Sequence, residues 1–338
     1  MMTFALDPNA THVPFDLLVL RLRSLLEEAG ASEEVAAILA RNCAACERDG
    51  TFSHGVFRIP GYLSTLRSGW VDGHAQPQIA RVGASYLRID AMNGFAQPAL
   101  EAACEDIRAM IGESGAAIVA LRNSHHFSAL WPDVEPWADA GLVALTMVTG
   151  GPAVMPRGVA RPVFGTNPIA FATPVEGGMP IAMDFATSSM SQGDLRIARD
   201  EGRRVPLGTG IGRQGRDTED PAEILDEGGI LPFGGHKGAL LSLMVELLAS
   251  ALTGGPFSHE VDMSSAPGAE IPRTGQLLIV LDPQRGGNDR FGGRVAGLVQ
   301  MLRDMGMARL PGDHRYQRRA KAAAQGVPIT PAIRALFI

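Results

Sequence analysis

Residues 232–255 read PFGGHKGALLSLMVELLASALTGG, a glycine-rich turn that opens into a long apolar run closed by two more glycines. From Gly238 to Leu252 the only charged residue is Glu246, so apolar side chains fall on every face and the spacing predicts a helix buried in the middle of the protein. At its N-terminal end Gly234, Gly235 and Gly238 allow close backbone approach, while His236 and Lys237 add donors and positive charge. Free N–H groups at such a helix start suit a phosphate. A glycine-capped core helix with a lysine reaching for solvent fits the same residues, so the surrounding chain has to decide.

Upstream and downstream of this helix lie short β-rich runs. SYLRID (85–90), AAIVALRN (116–123), LVALTMVT (142–149), NPIAFATP (167–174), PIAMDFAT (180–187) and GQLLIVLD (275–282) all read as strands, with helical stretches near 97–113 and 132–140. Several follow one another too closely for a crossover helix, which predicts an α/β chain of the α+β type with a mixed, largely antiparallel sheet. GTGIGR (208–213) has the wrong glycine spacing for a dinucleotide fingerprint and sits in a charged, turn-rich excursion over 196–229, so a Rossmann site is not expected. Residues 14–75 read as helices joined by short glycine-containing connections; Ser32 caps one of them, with Glu33 and Glu34 in its first turn. Phe291, Val295, Leu298 and Leu302 recur at helical spacing as a packing face. Two units are expected: a helical one from 1–75 joined by 306–338, and a mixed α/β one over 76–305.

At 338 residues, 46% apolar and 20% charged, the chain can bury a large core. A net charge of −6 without a basic, aromatic-interleaved stripe argues against nucleic acid as a partner. The start, MMTFALDPNATH, has neither a basic nor an apolar leader character, and no run is long enough to span a bilayer; a cytoplasmic protein acting on a small molecule is the expectation. Cys43, Cys46 and Cys104 are too few for a disulfide scaffold, and Cys43-x-x-Cys46 lies in a helical pattern without a second ligand pair.

Polar residues cluster at strand ends and in FSHGVFRIPGY (52–62), where a continuous helix would put His54 and Arg58 on one face, although Pro60 makes that helix uncertain. A histidine there can exchange protons and an arginine can pair with a carboxylate; Ser53 as a helix cap with exposed neighbours fits equally. Adjacent His125 and His126 lack the spacing of a metal site. Asp184 and Asp194, seen alone, are as easily turn-capping carboxylates as catalytic ones.

Taken in order, SHGVFR (53–58), NSHHF (123–127), FGTNP (164–168), MDFATS (183–188) and PFGGHKG (232–238) resemble the malate/L-lactate dehydrogenase-like family of non-Rossmann NAD(P)-dependent oxidoreductases over nearly the whole chain. The continuation SALWPDVEPWA (128–138) is similar to its Δ1-piperideine-2-carboxylate/Δ1-pyrroline-2-carboxylate reductase branch, whereas the hydroxy-acid branch usually continues with glycine and tyrosine. Thr149-Gly150-Gly151 departs from the polar residues of the family at that place. The resemblance implies Ser53 and His54 as the catalytic pair, Asp194 as the aspartate completing their relay, and Arg58 and Thr166 as substrate contacts. For the nucleotide it implies His126, Phe127, Ser128, Ala129 and Leu130, then Asp184, Phe185 and Ala186, then His236 with Lys237. The turn Arg309, Leu310, Pro311, Gly312, Asp313, His314 and Arg315 completes the set. It further implies NADPH in preference to NADH, a homodimer, no metal, and reduction of a cyclic ketimine to L-pipecolate or L-proline. The other readings are an NAD(P)-dependent 2-hydroxy acid dehydrogenase, a metal-dependent hydrolase using His54, His125, His126 and Asp194, and a nucleotide-binding protein without catalysis.

Overall fold

The structure, a computed structural model, describes residues 6–287 and 290–337; Met1 to Ala5 of the stretch read for a leader, and Ile338 of the C-terminal unit, lie outside the described residues. Strand β1 (His12–Val13) leads into α1 (Phe15–Glu28) and α2 (Glu33–Arg48). Ser32 caps α2 by accepting from the Val35 amide. Two single 3-10 turns over Phe52–His54 and Val56–Arg58 then precede α3 (Ile59–Arg67). Next come β2 (Gln78–Arg81), β3 (Tyr86–Asp90), α4 (Ala96–Ala102), α5 (Cys104–Ser114), β4 (Ala116–His125), α6 (Trp131–Asp139), β5 (Val143–Val148), β6 (Ile169–Thr173) and β7 (Ile181–Phe185). The excursion holds α7 (Gln192–Asp200), β8 (Gly210–Ile211), β9 (Asp217–Thr218), α8 (Pro221–Glu227) and β10 (Gly229–Ile230). After it follow α9 (His236–Val245), β11 (Arg273–Leu281), α10 (Phe291–Asp304), α11 (Asp313–Gln325), β12 (Val327–Pro328) and α12 (Pro331–Ala335).

Among the described residues the central sheet has seven strands in the order β2-β3-β4-β11-β5-β6-β7. β3 and β4 run parallel and every other neighbouring pair runs antiparallel. The alternation of the strands sends one set of side chains, including Leu87, Val119, Leu121, Leu278 and Val280, against α4, α5 and α6, and the other set, including Met147, Ile169 and Leu277, against α9 and the π-helical turns that follow it. A separate core joins α1, α2 and α3 to Ala322, Val327 and Ile333 from the C-terminal segment, and β1 pairs with β12. The excursion, expected only as charged and turn-rich, folds around its own small core of Val154, Leu195, Ala198, Val205, Ile224 and Ile230. Its apolar residues are too widely spaced in sequence to announce a core.

The stretch that predicted a fully buried helix is half uncovered. Gly238, Ser242, Val245, Glu246, Ala249 and Ser250 face inward, while Leu240, Leu243 and Leu247 are 51%, 42% and 51% exposed. Small and polar side chains therefore bring the helix close to the sheet, and the leucines point outward. Glu246 is buried because it accepts hydrogen bonds from Asn167 (2.8 Å) and from the Ser258 amide (3.0 Å). The packing face expected on α10 is likewise not buried, since that helix has no buried residue and Leu298 and Met301 are exposed.

The turn between the two 3-10 segments depends on Gly55. A Cβ there would run into Glu47 Oε2 and stand 3.0 Å from the Glu47 Cα, while Glu47 Oε2 accepts from the Val56 amide at 3.0 Å. Burial raises the Glu47 carboxyl above its usual range, partly opposed by that amide. Gly55→Ala is expected to lower stability by about 2 kcal/mol through overpacking, seen as an earlier urea midpoint with an unchanged slope.

Candidate active site

A cleft of about 220 Å³ is lined by His54, Arg58, His126, Phe127, Ser128, Thr166 and residues of the 148–153 loop. They arrive from several separate segments, with His126, Phe127 and Ser128 together on the loop between β4 and α6. His54 and Arg58 come from the paired 3-10 turns, not from one face of a continuous helix: Gly55 at φ −90, ψ −135 breaks the segment. Arg58 then folds back to donate from Nε to the Ser53 carbonyl at 2.7 Å. Its guanidinium carbon lies 4.1 Å from the Phe127 ring centroid, and burial pulls its pKa down to about 10. The first turn of α7 packs on this corner; a Cβ at Gly193 would stand 3.0 Å from both Arg58 Nη2 and Ser53 Cβ.

Ser53 Oγ lies 3.1 Å from His54 Nδ1. Burial, then the charge of Arg58, then His126 hold the His54 pKa well below the ordinary imidazole value. An anion placed against Arg58 would reverse the second of these effects.

The relay expected through Asp194 is not made. Asp194 is exposed at the start of α7 and accepts the Ser191 hydroxyl at 2.7 Å, while Ser191 caps the same helix. Its negative charge acts on Arg58, favouring the charged guanidinium, and no hydrogen bond links it to His54 among the described residues. The helix cap has claimed the carboxylate.

Thr166 is held by the turn of FGTNP. Asn167 takes a left-handed φ of 41 and sends its amide to the Ser242 carbonyl and to Glu246, and the Thr166 carbonyl accepts the Thr187 amide at 2.9 Å. Asp184 ends β7 and accepts the amides of Leu130 (2.8 Å) and Trp131 (2.9 Å). Those amides open α6, so Asp184 caps that helix and fixes the loop 126–130; burial raises its pKa and the two amides oppose the rise. His125 turns away from the cleft, with Nε2 3.0 Å from Asn93 Oδ1 and Nδ1 3.3 Å from the Ile271 carbonyl, and burial lowers its pKa to about 4. The neighbouring histidines face different partners, and among the described residues no group of three His, Cys, Asp or Glu could hold a metal ion. Cys43, Cys46 and Cys104 are free thiols.

His236 borders a second cavity of about 430 Å³ with Phe233, Gly234 and Gly235, and Lys237 is exposed beside it. Gly234 and Gly235 have φ of +56 and +62 with open space where a side chain would stand, so their backbone is accessible at the start of α9. The turn 309–315 runs along the outer edge of β7: Arg315 donates to the Ala182 carbonyl at 2.7 Å and the Ala182 amide reaches the Pro311 carbonyl at 3.4 Å. Arg309 is exposed. Phe185 also lies exposed, at 40%. An open glycine backbone at a helix start, with exposed cations and an exposed ring nearby, fits a phosphate-bearing aromatic cofactor.

Sequence reasoning missed Arg196 and Glu270, which line the cleft and stand 3.7 Å apart. Neither lies in a recognisable motif. It also missed Gln276 and Asp133, which support His126 from below: Nε2 of His126 lies 3.1 Å from Asp133 Oδ2, and Gln276 donates to the same oxygen at 2.8 Å. A glutamine inside the apolar run GQLLIVLD was the available signal.

Residues 13–336 match the family model described as malate/L-lactate dehydrogenase. The chain is 55% identical over 326 residues, covering 96% of this chain and 95% of the relative, to a Delta(1)-pyrroline-2-carboxylate/Delta(1)-piperideine-2-carboxylate reductase of Pseudomonas syringae pv. tomato. It is also 37% identical over 87% of both chains to a (2R)-3-sulfolactate dehydrogenase (NADP(+)) of Chromohalobacter salexigens. The crystal structure of the delta1-piperideine-2-carboxylate reductase from Pseudomonas syringae pv. tomato superposes with a TM-score of 0.94 at 53% identity, over 97% of this chain and 99% of that one. Malate dehydrogenase from Pyrococcus horikoshii OT3 shares the fold at a TM-score of 0.81 and 28% identity, over 97% of this chain and 94% of that one. Fold, motif order and sequence agree along the whole described length, and the chain belongs to the malate/L-lactate dehydrogenase family.

Proposed function

We propose that this chain reduces cyclic ketimine carboxylates, Δ1-piperideine-2-carboxylate to L-pipecolate and Δ1-pyrroline-2-carboxylate to L-proline, with NADPH in preference to NADH. The observation that carries the reading is the corner where a buried arginine and a histidine share one cleft, with Ser53 on the histidine ring. The 55% identity to a reductase of that name supports the substrate class. NADPH supplies the hydride at the ketimine carbon. Arg58 pairs with the substrate carboxylate and orients the C=N carbon. His54, as the imidazolium, gives its Nε2 proton to the ring nitrogen, and its Nδ1–H, donating to the Ser53 hydroxyl oxygen, stays on the neutral ring that remains. Thr166 hydrogen-bonds the substrate from the opposite strand connection. His126, Phe127 and Ser128 line the same cleft and would meet the nicotinamide end; His236 and Lys237 would take phosphate, and Arg309 the 2′-phosphate.

The test is the initial rate of NADPH oxidation with Δ1-piperideine-2-carboxylate, Δ1-pyrroline-2-carboxylate, pyruvate and oxaloacetate at equal concentration. A rate far higher on the ketimines is expected. Faster turnover of either keto acid would move the chain to the hydroxy-acid branch. The three free thiols fit the reducing cytoplasm, where we place the enzyme.

The same reading includes a homodimer, supported by the outward leucines of α9, by Leu298 and Met301 of α10, and by Met305, which caps the C-terminal end of α10 and is 78% exposed. Covering one leucine side chain is worth about 2 kcal/mol. Leu243→Glu with Leu247→Glu is expected to shift the sedimentation coefficient from dimer to monomer. An unchanged coefficient would place the interface elsewhere.

A further inference from the structure

We infer that Asp133 and Gln276 are positioning residues that hold His126 as its Nε2–H tautomer, so that Nδ1 offers a lone pair to a hydrogen-bond donor bound in the cleft. A chain of directed hydrogen bonds starting on the backbone leads there. The Thr146 hydroxyl, on β5, donates to the Leu277 carbonyl at 2.9 Å. With its hydrogen committed, the Thr146 oxygen can only accept, and the Gln276 amide nitrogen lies 3.0 Å from it. This contact fixes which end of the Gln276 amide points inward, because the reversed amide would set its oxygen against two acceptors. The same nitrogen gives its other hydrogen to Asp133 Oδ2 at 2.8 Å, while Gln276 Oε1 has no hydrogen-bond partner. Asp133 Oδ2 lies 3.1 Å from His126 Nε2. A carboxylate oxygen facing a donor only accepts, so Nε2 carries the hydrogen, and a ring holding that one hydrogen presents an acceptor at Nδ1.

Burial keeps water from rearranging this chain. Thr146 and Gln276 are 0% exposed, His126 is 6% exposed, and the Asp133 side chain is 5% exposed. The members come from four places: β5, β11, the first turn of α6 and the loop leaving β4. Gln276 stands opposite Val148 of β5, and Thr146 opposite Leu278 of β11, so the sheet register itself sets the spacing. The donor that suits an imidazole lone pair here is a carboxamide N–H, such as that on a nicotinamide ring. This choice of donor rests on the function proposed above, whereas the tautomer does not.

The first measurement is long-range ¹H–¹⁵N NMR on the ligand-free protein with ¹⁵N-labelled histidine. The expected His126 signals are a protonated Nε2 and an unprotonated Nδ1; an Nδ1–H ring or a doubly protonated ring in the wild type overturns the inference. The second measurement is the NADPH dissociation constant of Asp133→Asn, whose amide can turn a donor toward Nε2 and move the hydrogen to Nδ1. A loss of NADPH affinity of roughly tenfold is expected, with KM for NADPH rising more than kcat falls. Unchanged tautomer and affinity in that variant overturn the positioning role. A tautomer that switches while NADPH affinity stays constant upholds the positioning and removes nicotinamide as the donor. Where Asp133→Asn does not fold, Asp133→Ala takes its place, since it removes the acceptor at Nε2 and is expected to populate the second tautomer in the same spectrum.

Discussion

His54→Ala lowers kcat for the ketimine by roughly 10³-fold, within the range for removing a positioned acid, while the protein still binds NADPH and keeps its thermal midpoint. The expectation rests on where the ring sits: it lines the cleft, Ser53 occupies Nδ1, and no structural partner beyond Ser53 is bonded to it among the described residues. Stopped-flow reduction with fluorescence titration of NADPH separates the two effects. An unchanged kcat would remove His54 from the mechanism. The wild-type pH profile carries a second signature. Burial and the Arg58 charge depress the His54 pKa in the free enzyme, so the imidazolium needed for proton donation is lost early as pH rises. A substrate carboxylate neutralises Arg58 and raises that pKa in the complex. The basic limb of kcat is therefore expected at higher pH than the basic limb of kcat/KM, once the substrate's own ionisation is subtracted. Coincident limbs would show that the substrate anion does not act on His54.

Arg58→Ala is expected to cut kcat/KM for the ketimine by roughly 10³-fold, corresponding to about 4 kcal/mol for losing a charge-assisted contact in a water-poor site. Arg58 is 8% exposed, largely desolvated, and its guanidinium is pinned by the Ser53 carbonyl and the Phe127 ring, so little ordering remains to be done when a carboxylate arrives. Arg58→Lys is expected to recover only a small part. An ammonium can supply the charge but not the Nε contact to Ser53 together with a planar face on Phe127. Rates on a substrate analogue lacking the carboxylate give the control: wild type and Arg58→Ala should converge on it. A lysine variant with full activity would mean that Arg58 contributes charge without geometry.

Strand runs such as AAIVALRN and GQLLIVLD became β4 and β11 because a strand buried on both faces is mostly apolar, a property visible without knowing its neighbours. Short connections between several of the strands pointed to the largely antiparallel character for the same local reason, and the longer one through α4 and α5 joins the parallel pair β3 and β4. The motifs around Ser53, His126, Thr166 and Asp184 were legible as a resemblance to a known family, whereas the backbone features at these places, a broken 3-10 pair, a helix cap and a left-handed asparagine, came from the structure.

Other features were decided by contacts between distant segments. Whether the Asp194 carboxylate reaches His54 or binds the hydroxyl of Ser191, the residue that caps α7, depends on a residue three positions away and unremarkable in sequence. The outward leucines of α9 look identical in sequence to inward ones, since every position from Gly238 to Leu252 apart from Glu246 is apolar or small. Only the sheet beneath decides which face it meets. The hydrogen-bond chain from Leu277 through Thr146, Gln276 and Asp133 to His126 spans residues 126 to 277. By itself the sequence determined the class of fold, the order of its elements and the residues able to carry proton and carboxylate chemistry, because these follow from side-chain type and local periodicity. Only the tertiary structure decided which of those residues meet, which face of the central helix stays open and which way each buried donor points, because burial and hydrogen-bond direction are properties of pairs that the chain brings together from far apart.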